Sequence, residues 1–194
     1  NEATELELPT SVTWPEGRFS EQMQMIARSI AAREALGHTR QTFFVQYGGW
    51  DHHDEVIRNM AGQVAGFSAA VTAFFRTLEA LGVSNQVTLF TASDFGRTLT
   101  SNGAGSDHAW GGNHLILGGA VQGQRIWGTY PNLYEDNPLD VGRGRLIPTT
   151  SVDSYFAELA LWLGVPRSDL PLVLPNIATF FDPISGGQPI GFLG

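Results

Sequence analysis

The sequence predicts an α/β domain in which a largely parallel sheet is flanked by helices. Apolar residues recur every three or four positions over residues 54–81, which indicates a long amphipathic helix. Two apolar runs of strand length, residues 41–47 and 86–92, lie on either side of that helix. Because helices that alternate with strands serve as crossover connections, this order favours a parallel sheet. The 194 residues are 42% hydrophobic, so we expect one packed domain portion over residues 1–194.

The first predicted elements are a lead-in, a helix, a strand and a second helix. Residues 1–18 contain two prolines, which indicates an extended lead-in. Ser20 suits the N-cap of the first helix, and residues 41–47, QTFFVQY, form the first strand. The helix over residues 54–81 then begins with Asp54 as its N-cap.

Strands and loops follow that helix. Residues 86–92 form the second strand, and a loop rich in Gly, Ser, Asp and His covers residues 93–113. Strand character resumes over residues 114–120, and residues 124–130 either pair with this strand or continue the sheet edge. A second loop covers residues 133–146.

A third helix and a coil tail complete the chain. Thr150 and Asp153 resemble a capping box at the start of the helix, and Gly164 ends it. The tail, residues 173–194, contains several Pro and Gly, which predicts surface coil. The adjacent phenylalanines at 180–181 are the expected anchors of this tail.

Charge and composition exclude several classes of protein. The net charge of −8 argues against nucleic acid or an anionic membrane as the main partner. The absence of cysteine excludes disulfides, zinc–thiolate sites and a cysteine nucleophile. No apolar run approaches the ~20 residues of a membrane span, and the acidic N-terminus has no signal-peptide pattern. We therefore expect either a cytoplasmic protein or one whose leader has been removed.

Carboxylate and imidazole side chains cluster after the two main predicted strands. In open α/β sheets, ligands bind beyond the carboxyl ends of the strands. Asp51 and His53 are two residues apart, so on extended backbone both side chains leave on the same side and His52 points away. This mixture of oxygen and nitrogen suits Zn²⁺, with Mn²⁺ or Fe²⁺ as alternatives. The candidate metal ligands are Asp51, His53, Asp94, His108 and His114.

Three other interpretations have less support from the sequence. Serine hydrolase chemistry would need a G-x-S-x-G elbow, and nucleotide binding a G-x-G-x-x-G fingerprint; the chain contains neither. A carbohydrate-binding module would use exposed tryptophans, although aromatic side chains of this kind more often belong to the core or its rim.

Several long motifs resemble the C-terminal half of the DUF1501 family. They are GGWDHH, TLFTASDFGRTLTSNG, SDHAWGGNHLILGGAVQG, IWGTYPNL and GRGRLIPTTSVDSYFAELALWLG. The resemblance as a whole runs over about residues 23–180. Members of this family are bacterial proteins, often exported, of unassigned function, and are similar in fold to the alkaline phosphatase and sulfatase superfamily. The resemblance therefore implies the C-terminal part of an alkaline phosphatase-like fold and a periplasmic or secreted location.

The resemblance also implies how the candidate ligands divide between one or two metal ions. Asp51, His53 and His108 correspond to ligands of one metal, and Asp94 to a ligand of the second. Phe95 stands where the superfamily has a histidine, which weakens the second metal or converts the site to a single ion. The superfamily's first strand, with a further metal-binding Asp and a nucleophilic Ser or Thr, has no counterpart in residues 1–40.

The predicted function is a metal-dependent hydrolase-like protein that acts on phosphate or sulfate esters. Its nucleophile would come from outside this chain, either from an N-terminal portion of the same protein or from another chain. Arg97 is the candidate contact for an anionic substrate, and Asn102 and Asn113 rank below it. The alternative is an exported, non-catalytic assembly protein whose metal site is structural or degenerate, because Phe95 replaces a ligand and the nucleophile is missing.

Overall fold

The computed structural model of the chain is a mixed helix and strand fold, which confirms the α/β class. It describes residues 7–134, 136–184 and 186–194. The start of the predicted lead-in, residues 1–6, lies outside the described residues. No helix in these ranges is long and apolar enough to span a membrane.

The chain divides into two compact units. The first contains the described residues up to Val87 and also Asn102–Ser106. The second contains Thr88–Ser101 and the described residues from Asp107 onward. The prediction of one domain portion over residues 1–194 stays a prediction.

Two helices form the core of the first unit. Helix α1 covers Arg18–Ala31 and contacts helix α2, Val56–Ala80, after which Ser84–Gln86 form a 3₁₀ turn. Apolar residues at helical spacing explain both helices. The side chains buried here are Met23, Ala27 and Ile30 of α1 with Val71, Phe74 and Leu78 of α2.

Both N-caps predicted in the first unit are wrong. Helix α1 begins two residues before Ser20, which is buried within the first turn, and its N-cap is Gly17. The N-cap of α2 is Glu55, in left-handed backbone at φ 46°, and not Asp54. Neither helix has a side-chain cap hydrogen bond, so tertiary packing and not capping determines where each helix starts.

The strand predicted at residues 41–47 is wrong, because this segment has no regular secondary structure. Phe44 is 90% exposed, whereas Tyr47 stacks on Phe19 with 4.5 Å between ring centroids. Tyr47 also stacks on Phe67 of α2. Aromatic packing therefore fixes the end of this segment, and no strand pairs with its backbone within the described residues.

The second unit contains two small sheets. Strands β1, Thr88–Phe90, and β4, Ile116–Gly118, pair antiparallel, with Leu89 opposite Leu117. Strands β2, Gly96–Ser101, and β3, Ser106–Ala109, form the other sheet. The described residues show no parallel sheet, so the alkaline phosphatase-like fold is not confirmed. Antiparallel pairing needs no helical crossover, so β1 and β4 pair without a helix between them in the sequence.

Strands β2 and β3 lie within the segment predicted as a loop, residues 93–113. The turn between them, Asn102–Ser106, belongs to the first unit. Its last residue, Ser106, is also the first residue of β3. We refer to Asn102–Ser106 as the hairpin tip. The strand predicted over residues 124–130 is wrong, because its backbone forms only bends and coil.

The third predicted helix is confirmed as α3, Val152–Leu163, with a different cap. Ser151 is the N-cap and its side chain accepts the Ser154 backbone N–H, so Thr150 does not cap the helix. Gly164 ends the helix in left-handed backbone, as predicted. A short helix α4, Leu170–Val173, follows.

The C-terminal tail is anchored mainly by a residue that the sequence did not single out. Phe192 is fully buried beside Tyr155, Leu159 and Leu193. Of the predicted anchors at 180–181, the second packs on a smaller core cluster, whereas the first is 55% exposed. Burial of the last residues therefore stabilises the tail more than the predicted pair does.

Candidate metal centre

Asp51 and His53 form an exposed acid–imidazole pair in the first unit. The Nε2 atom of His53 lies 3.0 Å from Oδ1 of Asp51. The two side chains meet on one side of the chain, as the sequence predicted, although the backbone here is a tight turn in which the His52 N–H donates to the Trp50 carbonyl at 3.0 Å. An imidazole nitrogen and a carboxylate oxygen are ligand atoms that a divalent transition metal accepts, so this pair offers two of the ligands that such an ion needs.

His52 points away from that pair and is only 6% exposed. Its Nε2 atom lies 2.6 Å from Oε1 of Gln63, a residue of α2. The amide nitrogen of Gln63 donates to the Gly48 carbonyl at 3.2 Å, and the Gln63 carbonyl accepts from the Tyr47 hydroxyl. One glutamine therefore connects the helix to both ends of the segment that carries Asp51.

The hairpin tip approaches the same segment in the first unit. The backbone N–H of Ser106 donates to the His52 carbonyl at 3.3 Å. The side-chain Nδ2 of Asn102 donates to the His53 carbonyl at 3.0 Å. Gly105 is buried against this backbone, where a β-carbon would lie 2.5 Å from the His52 carbonyl oxygen. We refer to residues 51–53 as the ligand-bearing turn. The carbonyls of two consecutive residues of this turn, His52 and His53, thus bind the hairpin tip.

His108 lies on β3 of the second unit, where its ring is stacked on a phenylalanine. The ring centroids of Phe95 and His108 are 4.0 Å apart and the planes differ by 7°. The Arg97 guanidinium lies over the Phe95 ring, 5.6 Å from its centroid. Phe95 therefore orients the His108 imidazole by stacking.

Two further contacts fix the strand at His108. The adjacent Asp107 pairs with Arg143 at 2.6 Å, and its backbone N–H donates to the Thr98 hydroxyl at 3.1 Å. Arg143 has a positive φ of 64° and lies between two glycines. An uncommon backbone conformation of this kind is kept when surrounding contacts determine it, and the ion pair is one such contact.

His114 occupies a different environment in the second unit. Its Nδ1 atom lies 3.4 Å from the Thr91 hydroxyl, and its ring stacks on Tyr155 with centroids 5.8 Å apart. The Tyr155 hydroxyl donates to the Thr91 carbonyl. Burial lowers the pKa of His114 below its ordinary value and raises the pKa of Tyr155 above its ordinary range.

We expect His114 to make the protein less stable in mild acid. Because the folded state disfavours the imidazolium, the unfolded chain binds the proton more tightly. Neutral His114 contributes fully to the free energy of unfolding when the pH is above the ordinary histidine pKa. This contribution is lost as the pH falls from that value to the lowered pKa of the folded state. Urea unfolding of the wild type and of His114→Gln from about pH 7.5 to 5.5 measures this. Their difference in unfolding free energy should shrink on acidification, and a constant difference would contradict the prediction.

Asp94 and His114 stay predicted ligands. Asp94 is exposed in the turn before β2, where the Ser93 hydroxyl donates to the Phe95 carbonyl at 3.0 Å. Among the described residues, neither Asp94 nor His114 belongs to a group of three potential ligands that lie close together. Arg97 likewise stays a predicted substrate contact.

Sequence reasoning missed the residues that contact the ligand-bearing turn and hold it in place. Gln63 lies in an amphipathic helix, where a polar residue is ordinarily a solvated one. Gly105 lies in a glycine-rich stretch, so nothing in the sequence marks it as a site of close backbone approach. The sequence offers Asn102 only as a minor substrate contact, whereas its side-chain amide donates to the His53 carbonyl.

A mixed α/β protein with an exposed acid–imidazole pair is the class that the fold and the site define. The chain belongs to the DUF1501 family, described as a protein family of unknown function, which matches residues 3–143. This confirms the family resemblance; the likeness to the alkaline phosphatase and sulfatase superfamily stays a prediction. The match includes Asp51, His53, Asp94 and His108. No curated protein and no solved structure matches the chain.

Proposed function

We propose that this chain provides the metal-binding part of a hydrolase-like protein that acts on phosphate or sulfate esters. In this proposal Asp51, His53 and His108 bind one divalent transition metal, with zinc the first candidate. The single observation that carries it is the 3.0 Å approach of His53 Nε2 to Asp51 Oδ1, which puts two ligand atoms of suitable type together.

The short length of chain between Ser106 and His108 supports His108 as the third ligand. Ser106 binds the His52 carbonyl within the first unit. His108 follows two residues later on β3, and two residues of extended chain span about 7 Å. Alternation along a strand also puts the side chains of residues 106 and 108 on the same face. With one oxygen and two nitrogens from protein, such a site leaves a position open for water or substrate.

The metal would stabilise negative charge on a phosphoryl or sulfuryl oxygen. Arg97 is the proposed contact for the remaining anionic oxygens, because a planar guanidinium can bind two of them at once. The chain's own contribution is to position the ligands and the anion. In the proposal, the nucleophile comes from an N-terminal portion or another chain, and the protein is exported, as the family resemblance implies.

Metal binding by purified protein tests the ligand set. We expect the wild type to bind about one equivalent of Zn²⁺ or Co²⁺ after dialysis against metal. Asp51→Asn and His108→Ala should each reduce affinity by about 100-fold or more, because each removes a ligand directly. Asp136→Asn and His38→Ala are the matched controls, since both residues are exposed and outside the ligand set. Wild-type affinity in both ligand variants would refute the proposed site.

Ester hydrolysis separates this function from the alternative, a non-catalytic assembly protein with a structural or degenerate metal site. Phe95 favours the alternative, because its side chain offers no ligand atom at the position where the family resemblance implies a histidine ligand of the second metal. Because the proposal takes the nucleophile from outside this chain, the assay must include the N-terminal portion or partner chain that supplies it. Turnover of an aryl phosphate or sulfate in that assay, abolished by Asp51→Asn, would support the hydrolase. Metal binding with no turnover in the same assay, and a chelator-sensitive melting temperature, would support the structural role.

A further inference from the structure

The side chain of Asn102 makes two different sets of hydrogen bonds. Its Oδ1 atom accepts the backbone N–H groups of Ala104 at 3.1 Å and Gly105 at 2.8 Å. Its own backbone N–H donates to the Gly105 carbonyl at 3.1 Å. These bonds close the hairpin tip locally, as Asn side chains commonly do in turns. The Nδ2 atom donates to the His53 carbonyl at 3.0 Å, outside the turn.

The bond from Asn102 to His53 acts on the ligand-bearing turn, which helix α2 also holds through the His52 side chain. Buried His52 binds Gln63 of α2, and the carbonyls of residues 52 and 53 bind the hairpin tip. An exposed imidazole binds a metal more tightly when its backbone is already fixed, because ordering a free loop on binding costs conformational entropy. Asn102 supplies a side-chain hydrogen bond to the His53 backbone.

We propose that Asn102 is a positioning residue for the metal site, acting through the His53 backbone. This inference rests on the proposed metal-binding function. Groups that orient metal ligands without touching the ion typically contribute about 10- to 100-fold to affinity. The amide oxygen of Asn102 shapes the tip, whereas its amide nitrogen sets where His53 presents its ring.

The substitution Asn102→Ser separates the two roles of this side chain, which are closing the hairpin tip and binding the His53 carbonyl. A serine hydroxyl can still accept a turn N–H but is too short to replace the amide N–H at the His53 carbonyl. We expect Co²⁺ affinity to fall about 10-fold and the visible d–d absorption of bound Co²⁺ to change, because the coordination geometry changes. The thermal midpoint of the metal-free protein should stay close to that of the wild type. Asn132→Ser is the matched control, since Asn132 also accepts a backbone N–H in a turn, from Tyr134.

A second variant guards against misfolding. Asn102→Asp keeps the acceptor oxygens of the turn and nearly the same shape, but it lacks the donor. We expect it also to bind Co²⁺ more weakly, although its added negative charge by itself attracts a cation. Unchanged or tighter binding by Asn102→Asp, or a wild-type Co²⁺ spectrum and affinity in Asn102→Ser, overturns the inference and leaves the metal site standing. A wild type that binds no Co²⁺ overturns the proposed function and this inference together.

Discussion

Replacing Glu158 by glutamine is expected to lower the free energy of unfolding by about 3 kcal/mol, because a buried carboxylate loses its hydrogen-bonding role. Glu158 lies in α3 and is only 2% exposed. Its Oε2 atom accepts the N–H groups of Ile190 and Gly191, both at 3.1 Å, and Oε1 accepts that of Leu193 at 3.2 Å. A glutamine amide turns one of its ends into a donor, so at least one buried N–H would face another N–H.

Urea unfolding of Glu158→Gln measures the loss of stability, with Glu79→Gln as control because Glu79 is exposed on α2. We expect the control to stay within about 0.5 kcal/mol of the wild type. Hydrogen exchange gives a local test, since Phe192 loses its anchor when the N–H groups around it lose their acceptor. Rapid exchange of residues 190–193 in the variant, with slow exchange retained in α1, would agree with this account. Equal stability of the two variants would contradict it.

The helices were the part of the fold that the sequence predicted best. Apolar spacing of three or four residues persists over several turns of α2 and α3, and the glycine after α3 has the left-handed backbone expected of a helix end. The starts of helices were less predictable. Three plausible caps, Ser20, Asp54 and Thr150, lie within two residues of the true starts without capping them, because packing and not the cap selects the first turn.

The sheets were predicted poorly because strand pairing depends on contacts between distant residues. Residues 41–47 have strand composition, yet Tyr47 packs its ring on α1 and α2 and its backbone stays unpaired. Conversely, β2 and β3 are mostly polar, but the Thr98 hydroxyl accepts the Asp107 N–H and the tip is closed by Asn102. Composition describes the surroundings that a strand prefers and cannot identify its partner.

The pairing of Asp51 with His53 could be predicted from local geometry, whereas the residues that hold their turn in place could not. Spacing alone indicated that Asp51 and His53 share a side and that His52 points away, and both statements are confirmed. The stacking of Phe95 on His108 joins residues 13 apart and follows no helix or strand period. The Gln63 and Asn102 contacts likewise join separate segments, so only the folded chain reveals them.

Replacing Gly105 by alanine is expected to weaken Co²⁺ binding by 10-fold or more, about as much as loss of a supporting group. The new β-carbon would lie 2.5 Å from the His52 carbonyl oxygen and 2.6 Å from the His53 carbonyl carbon. Both are backbone atoms, so neither can swing aside as a flexible side chain would. The hairpin tip must therefore move away from the ligand-bearing turn.

That movement breaks two bonds at once, because Asn102 and Ser106 hold the tip to the same pair of carbonyls. Gly105→Ala should thus cost more affinity than Asn102→Ser, which removes only one bond. Gly62→Ala is the matched control: Gly62 lies in α2 with nothing within 4 Å of an added β-carbon, and alanine is the better helix former there. Co²⁺ titration of the three variants gives the order directly. If Gly105→Ala binds Co²⁺ as Gly62→Ala does, the hairpin tip does not position the ligands, and the close backbone approach serves only to pack the turn.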